Sequence, residues 1–224
     1  MNTWLKSTVA VLAKDLRSEL RTRYALNALV LFVVVTIAII LFAMSGENIP
    51  RDLHSGILWV VVFFSAMSGL SRTFVSEEER GTVLTLQLLA WPSTIYFGKL
   101  LFNLLLIIGV NLFIVVLYLL LMEDFVVRTI SVFLATMLLG SVGIAAASTI
   151  IAAIIAKANT KGTLYPVLSF PILLPLFIGV IKSTQLSVEG EPFSAVTAYF
   201  LFLVSYCVVV ITASYLLFDF VWKD

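Results

Sequence analysis

The chain has 224 residues, of which 61% are hydrophobic and 12% charged, with a net charge of +1 and a mean hydropathy of +1.11. So few charges cannot cover a soluble domain of this size, so the solvent is lipid, and the near-zero net charge argues against nucleic acid as a partner. The single cysteine, Cys207, lies deep in an apolar run, excludes an intrachain disulfide and reads as a small buried hydrophobe.

Residues 3–24 predict an amphipathic helix. Trp4, Thr8, Leu12, Leu16, Leu20 and Tyr24 recur at every fourth position, and Lys6, Lys14, Asp15, Arg17, Glu19, Arg21 and Arg23 fill the intervening ones. Such a helix suits the membrane interface, lying in its plane; the alternative is a polar helix packed on another element. The segment does not read as a cleavable signal, because the apolar run after it is longer than an h-region needs and Ala43-Met44-Ser45 only loosely imitates a cleavage site.

Six apolar runs follow, at about 25–44, 56–75, 96–121, 130–156, 163–181 and 195–218, each long enough to cross a bilayer at about 1.5 Å per residue. The expected fold is an all-α membrane protein forming a single transmembrane domain over 1–224. Lys6, Lys14, Arg17, Arg21, Arg23, Arg72, Arg80, Lys99, Lys157, Lys161 and Lys223 fall on one side of this plan, and Arg51, Arg128 and Lys182 on the other. The positive-inside rule then places both termini in the cytoplasm.

The stretch 76–92 interrupts the second and third runs. Glu77, Glu78, Glu79 and Arg80 precede Gly81, which suits a left-handed helix cap. Thr82 is placed to cap a short helix from Val83 to Ala90, ended ahead of Pro92; a capping box of Ser76 and Glu79 is the rival start. Leu84 and Leu88 help make this helix apolar nearly all round, so one face needs a protein partner. The stretch therefore reads as a cytoplasmic coupling element, with residues 77–82 and the two leucines as partner contacts.

The fourth run is rich in small residues. Ser148, Ala152 and Ala156 form one stripe and Gly143 and Ala147 another, a spacing that lets helix backbones approach closely in lipid. In the fifth run Pro171 and Pro175 each remove a helical hydrogen bond, predicting kinks, static or mobile. Catalytic and nucleotide-binding motifs are absent: there is no G-x-x-x-x-G-K-[ST], no Ser-x-x-Lys and no Gly-x-Ser-x-Gly. The single histidine, His54, leaves a metal centre without ligands and reads as an exposed loop residue, with an axial haem ligand as the alternative. The span centres carry no acid or lysine, which weighs against ion-coupled transport. An intramembrane enzyme and a transport-free scaffold are the readings from other classes.

Glu79-Arg80-Gly81-Thr82, followed by Leu86, Leu88-Leu89, Pro92 and Gly98-Lys99, resembles the signature between spans two and three of ABC-2-type exporter permeases, although Val83 and Thr85 depart from the usual Leu and Glu. Within that group, 14–21 (Lys-Asp-Leu-Arg-Ser-Glu-Leu-Arg), Leu139-Gly140, the basic 157–162 loop and 168–176 (Leu-Ser-Phe-Pro-Ile-Leu-Leu-Pro-Leu) are similar to the CcmB family, permeases of the cytochrome c maturation ABC transporter. The resemblance covers essentially the whole chain. It implies an ABC-2/type V exporter-like plan and a homodimer seated on separate ATPase subunits that bind the ATP. Haem would be a transported or handled ligand with no cofactor bound covalently. A haem-handling membrane subunit and a haem chaperone would be further partners, in the bacterial cytoplasmic (inner) membrane. An ABC-2 permease exporting a lipid, drug or polysaccharide is the alternative.

Overall fold

The computed structural model describes residues 3–22, 24–44, 50–157 and 164–223, which form helices with no strand among them. In chain order these are α1 (Thr3–Thr22), α2 (Tyr24–Met44), α3 (Arg51–Leu70), α4 (Val75–Glu79), α5 (Val83–Leu89), α6 (Pro92–Leu121), α7 (Ile130–Lys157), α8 (Tyr165–Glu189) and α9 (Phe193–Lys223). Among the described residues six stretches are long and apolar enough to cross a membrane: Leu26–Met44, Leu53–Glu79, Pro92–Leu121, Ile130–Lys157, Tyr165–Glu189 and Phe193–Trp222. The chain is an all-α, multi-pass membrane protein. Residues 45–49 of the first expected connection and residues 158–163, with Lys161, lie outside the described residues.

Several helices run further than hydropathy indicates. Pro92 opens α6 in its first turn, where its missing N–H costs nothing. The loop expected from Lys182 is helix as far as Glu189. Lys182 and Gln185 lower the hydropathy without breaking the helix: Lys182 Nζ donates to Gln185 Oε1 (2.8 Å) and Gln185 Nε2 to Glu189 Oε1 (3.0 Å). Gly190, at φ 92°, then closes α8 through its N–H to Leu186 O (3.1 Å). The same turn meets the α6–α7 connection, where the N–H groups of Arg128 and Thr129 both donate to Ser187 O (3.2 and 3.0 Å).

His54 is not in an exposed loop. It lies in the first turns of α3, 2% exposed, with Nδ1 3.2 Å from Tyr118 Oη and the Phe125 ring centre 6.0 Å away. Helix α3 starts before the apolar run does, and α6 and its following turn close over it.

Helix α7 is the centre of the bundle and packs against α3, α4, α6, α8 and α9. Every residue from Gly143 to Ala153 is buried, including Ala147, Ser148 and Ala152. Small side chains let neighbours reach its backbone: a Cβ on Gly143 would stand 2.7 Å from Leu176 Cδ1, and one on Gly140 2.3 Å from Trp59 Cη2. Helix α8 continues through Pro171 and Pro175. Tyr206 on α9 donates to Ile172 O (2.8 Å), next to the carbonyl that Pro175 deprives of its helical donor. By contrast, among the described side chains of α2 only every fourth is deeply buried, at Leu29, Val33 and Ile37.

Trp59 cannot easily leave Gly140, because its indole Nε1 donates to Thr184 Oγ1 (2.9 Å). Gly140→Ala should therefore lower stability by about 1–3 kcal/mol through overpacking, despite the helix preference for alanine. Gly109 on α6 has open space where a Cβ would stand, so Gly109→Ala should be neutral or stabilising. Thermal unfolding of both variants in one detergent, followed by tryptophan fluorescence, checks the contrast.

Candidate functional site

The residues between α3 and α6 gather α1 and the end of α9 around one end of the bundle. Helix α1 lies along α6, and glycine at position 98 makes this possible: a Cβ there would stand 2.7 Å from Val11 Cβ and 3.1 Å from Thr8 O. Thr8, Val11 and Asp15 form the buried face of α1, while Leu5, Val9, Leu16 and Leu20 remain on its surface. Trp4 fixes the far end through its Nε1, which donates to Ser93 Oγ (3.2 Å), and through an edge contact with Phe97.

Next to Gly98, Lys99 is 1% exposed. Its Nζ donates to Thr73 O (2.9 Å) and to Glu77 Oε1 (3.0 Å), lies 3.0 Å from Asp15 Oδ2, and sits 5.3 Å from the centre of the Phe74 ring. Lys14 also pairs with both Asp15 and Glu77, and Thr82 Oγ1 donates to the Glu77 carboxylate. Two ammonium groups thus balance two carboxylates, tying α1, α4 and α6 together. A polar ladder leads inward from here. Thr73 Oγ1 donates to Asn103 Oδ1 (2.7 Å), and Asn103 Nδ2 donates to Thr149 Oγ1 of α7 (2.9 Å).

This arrangement corrects part of the sequence reading. Glu77 does not share a partner-facing edge with Glu78 and Glu79; it is 5% exposed and turned inward. Consecutive helical residues point about 100° apart, so three acids in one turn cannot occupy one face. Glu78, Glu79 and Arg80 are exposed, with Arg72 Nη2 3.5 Å from Glu79 Oε2 and Arg80 Nη1 donating to Ser18 Oγ (2.8 Å). Gly81 takes the left-handed conformation, φ 64°. Thr82 precedes α5 without a side-chain cap, since its hydroxyl is engaged by Glu77; Ser76 and Glu79 form no capping box, as α4 follows Phe74 and Glu79 pairs with Arg72.

Helix α5 has two unlike faces. Val83, Leu86, Gln87 and Ala90 turn towards the protein, and Gln87 Nε2 donates to Trp222 O at the end of α9 (2.6 Å). Leu84, Leu88, Leu89 and Trp91 point outward, 71–87% exposed. Among the described residues no three His, Cys, Asp or Glu side chains gather as metal ligands. The sequence reading missed Lys14, Asp15 and Lys99 as a cluster. The usable signal was the stripe Lys99, Asn103, Ile107, Asn111, in which polar groups share one face with a buried isoleucine.

Lys99→Met leaves Asp15 and Glu77 facing Lys14 alone. Stranding a buried charge in this way costs about 3–5 kcal/mol, and Glu77→Gln alone should cost a similar order. The double variant should lose clearly less than the sum, because the two groups share one interaction. Unfolding of the three variants in detergent gives the coupling; strict additivity would show that the cluster does not act as a unit.

Residues 6–218 match the protein family described as CcmB protein. A search of individual curated proteins gave no match. The match spans nearly all of α1, the charged cluster, the exposed turn of α5, the first five spans and most of the sixth, and by it the chain belongs to the CcmB family, the membrane permease component of the ABC system for cytochrome c maturation and haem export.

Proposed function

We propose that this chain pairs with a second copy of itself and sits on ATPase subunits through α4 and α5. Membership of the family implies an ABC ATPase partner. The observation that carries the reading is α5: its inner face is held by the bundle and by Trp222, while four large apolar side chains stand outward at its exposed face and just beyond it. A helix apolar on both faces needs cover on both. Glu78, Glu79 and Arg80 lie beside that face as a polar rim, suited to steering a partner rather than anchoring it.

In this reading a movement of the ATPase reaches the spans by two routes. One runs through Gln87 to the end of α9. The other runs through α4 and Glu77 to Lys99 on α6 and Asp15 on α1. The work done is haem export or release of a haem-loaded chaperone, and a haem-handling membrane subunit completes the assembly. The distribution of lysine and arginine supports a cytoplasmic position for α1, α5 and the end of α9, hence an inner-membrane protein with both termini inside.

Leu84→Asp and Leu88→Asp should each cut ATPase recovery about tenfold or more by placing a carboxylate in an apolar contact. Charge reversal at Glu78 or Glu79 should cut it only a few-fold, as rim charges do. Co-purification at equal permease level in the membrane measures this, and full recovery across the set would refute the α5 assignment.

Topology is tested separately. A reporter inserted between Gly190 and Glu191 should be active only as a periplasmic fusion, and one after Asp224 only as a cytoplasmic one; the reverse pattern would overturn the orientation.

A further inference from the structure

Two cavities meet in the crevice between α1, α2 and α6. The first, about 310 Å³, opens at the charged end, and Lys14, Ser18, Arg72 and Arg80 line it together with the buried cluster. The second, about 250 Å³, is apolar and runs along the spans, lined by Leu16, Leu20, Val30, Leu105, Gly109 and Phe113. Phe102 lines both. Helix α1 lies across the junction, with Lys14 and Ser18 on the polar side and Leu16 and Leu20 on the apolar side.

We propose that this crevice is a phospholipid site, holding a phosphodiester headgroup at the charged end and an acyl chain in the apolar slot. Three observations carry it. The first is the order of the cavities: the polar one lies where α1 meets the ends of the spans, and the apolar one follows α2 and α6 into the segments that cross the membrane. That is the order of headgroup and chain in a leaflet.

The second is charge. Lys14, Arg72, Arg80 and Lys99 line the first cavity against Asp15, Glu19 and Glu77, and Arg72 also pairs with Glu79, so Arg80 is the guanidinium left to face a headgroup at the rim. Guanidinium groups bind phosphate in paired geometry, and basic pockets between spans are suited to lipid headgroups. The third is the slot itself. Nothing lies within 4 Å of where a Cβ of Gly109 would stand, so α6 leaves its own wall open there while Leu105, one turn away, remains 50% exposed. Glu19 is the one charged residue lining the slot, at its junction with the first cavity, and the rest of the lining is apolar, so an acyl chain fits the slot beyond it.

Native mass spectrometry of the full chain, purified in detergent and supplied with dioleoyl phosphatidylglycerol or dioleoyl phosphatidylethanolamine, tests the proposal. One lipid per chain should survive stepwise collisional activation, and comparison of the two lipids reads the headgroup preference. Gly109→Leu should reduce the bound fraction about tenfold at equal lipid, whereas Gly109→Ala, too small to fill the slot, should retain it. Glycerophosphoglycerol, a headgroup without chains, should not compete.

Equal binding by Gly109→Leu and the parent chain would overturn the proposal and mark the lipid as ordinary annular lipid. Equal loss in Gly109→Ala would attribute the effect to α6 itself, and competition by the chainless headgroup would reduce the site to a phosphate site; either result overturns it as well. If Gly109→Leu does not fold, as judged by thermal unfolding, Val30→Trp fills the slot from α2 and decides on the same terms.

Discussion

The buried ammonium of Lys99 constrains the rest of the structure. An ion of this kind taken out of water costs several kcal/mol, and the cost is offset only where geometry and hydrogen bonding are both good. Here the partners come from three separate elements: Asp15 from α1, Thr73 O from the turn after α3, and Glu77 from α4. None of them can be moved without exposing or stranding a charge. Gly98 is part of the same constraint, since α1 brings Asp15 close enough only because no side chain stands between α1 and α6 at that point. The N-terminal helix, the α4 turn and the third span therefore behave as one piece.

The opposite end of the bundle is built differently. There, backbone hydrogen bonds to Ser187 O join the α6–α7 and α8–α9 connections, and His54 sits among Tyr118 and Phe125. Charge plays little part. Between the two ends, α7 supplies close backbone contact in place of side-chain bulk, with Trp59 against Gly140 and Leu176 against Gly143. In lipid, where apolar surface gives no drive for helices to meet, this closeness and the hydrogen bonds that the Asn103 and Asn111 amides donate to Thr149 and Ser141 hold the core.

Much of this was legible in the sequence. Spans, the short helix after Gly81 and the packing role of small residues follow from hydropathy, from the left-handed preference of glycine and from spacing, which are local properties. Less legible was whatever depends on distant elements meeting. Glu77 looks like its two neighbours until Lys99 and Lys14 arrive from 22 and 63 residues away. His54 looks like a loop residue because the apolar run begins after it, yet α3 starts at Arg51. Lys182 looks like a span end because charge lowers hydropathy, whereas helix continuation depends on caps, and the cap there is Gly190. Hydropathy reports the solvent around a segment, and neither burial by a neighbour nor the point where a helix stops is contained in it.

A cluster of two lysines and two acids is a poor way to gain stability, since apolar residues of similar size would often hold as well or better. Its effect here lies in placement. The surface of α1 carries leucines that lipid would accept at many rotations and depths, and an α1 attached by leucines alone would have no single register on α6. Asp15 has one position that satisfies Lys99, and Val11 has one that fits the gap at Gly98. Those two contacts, one turn apart on α1, fix its rotation and depth together. With the register set, Lys14 and Ser18 line the polar cavity and Leu16 and Leu20 the apolar one. Rotating α1 by one residue, about 100°, would take Asp15 away from Lys99 and turn its leucines off the apolar slot. The charge cluster that holds the α4 turn is thus also what gives the adjoining crevice its two-sided lining.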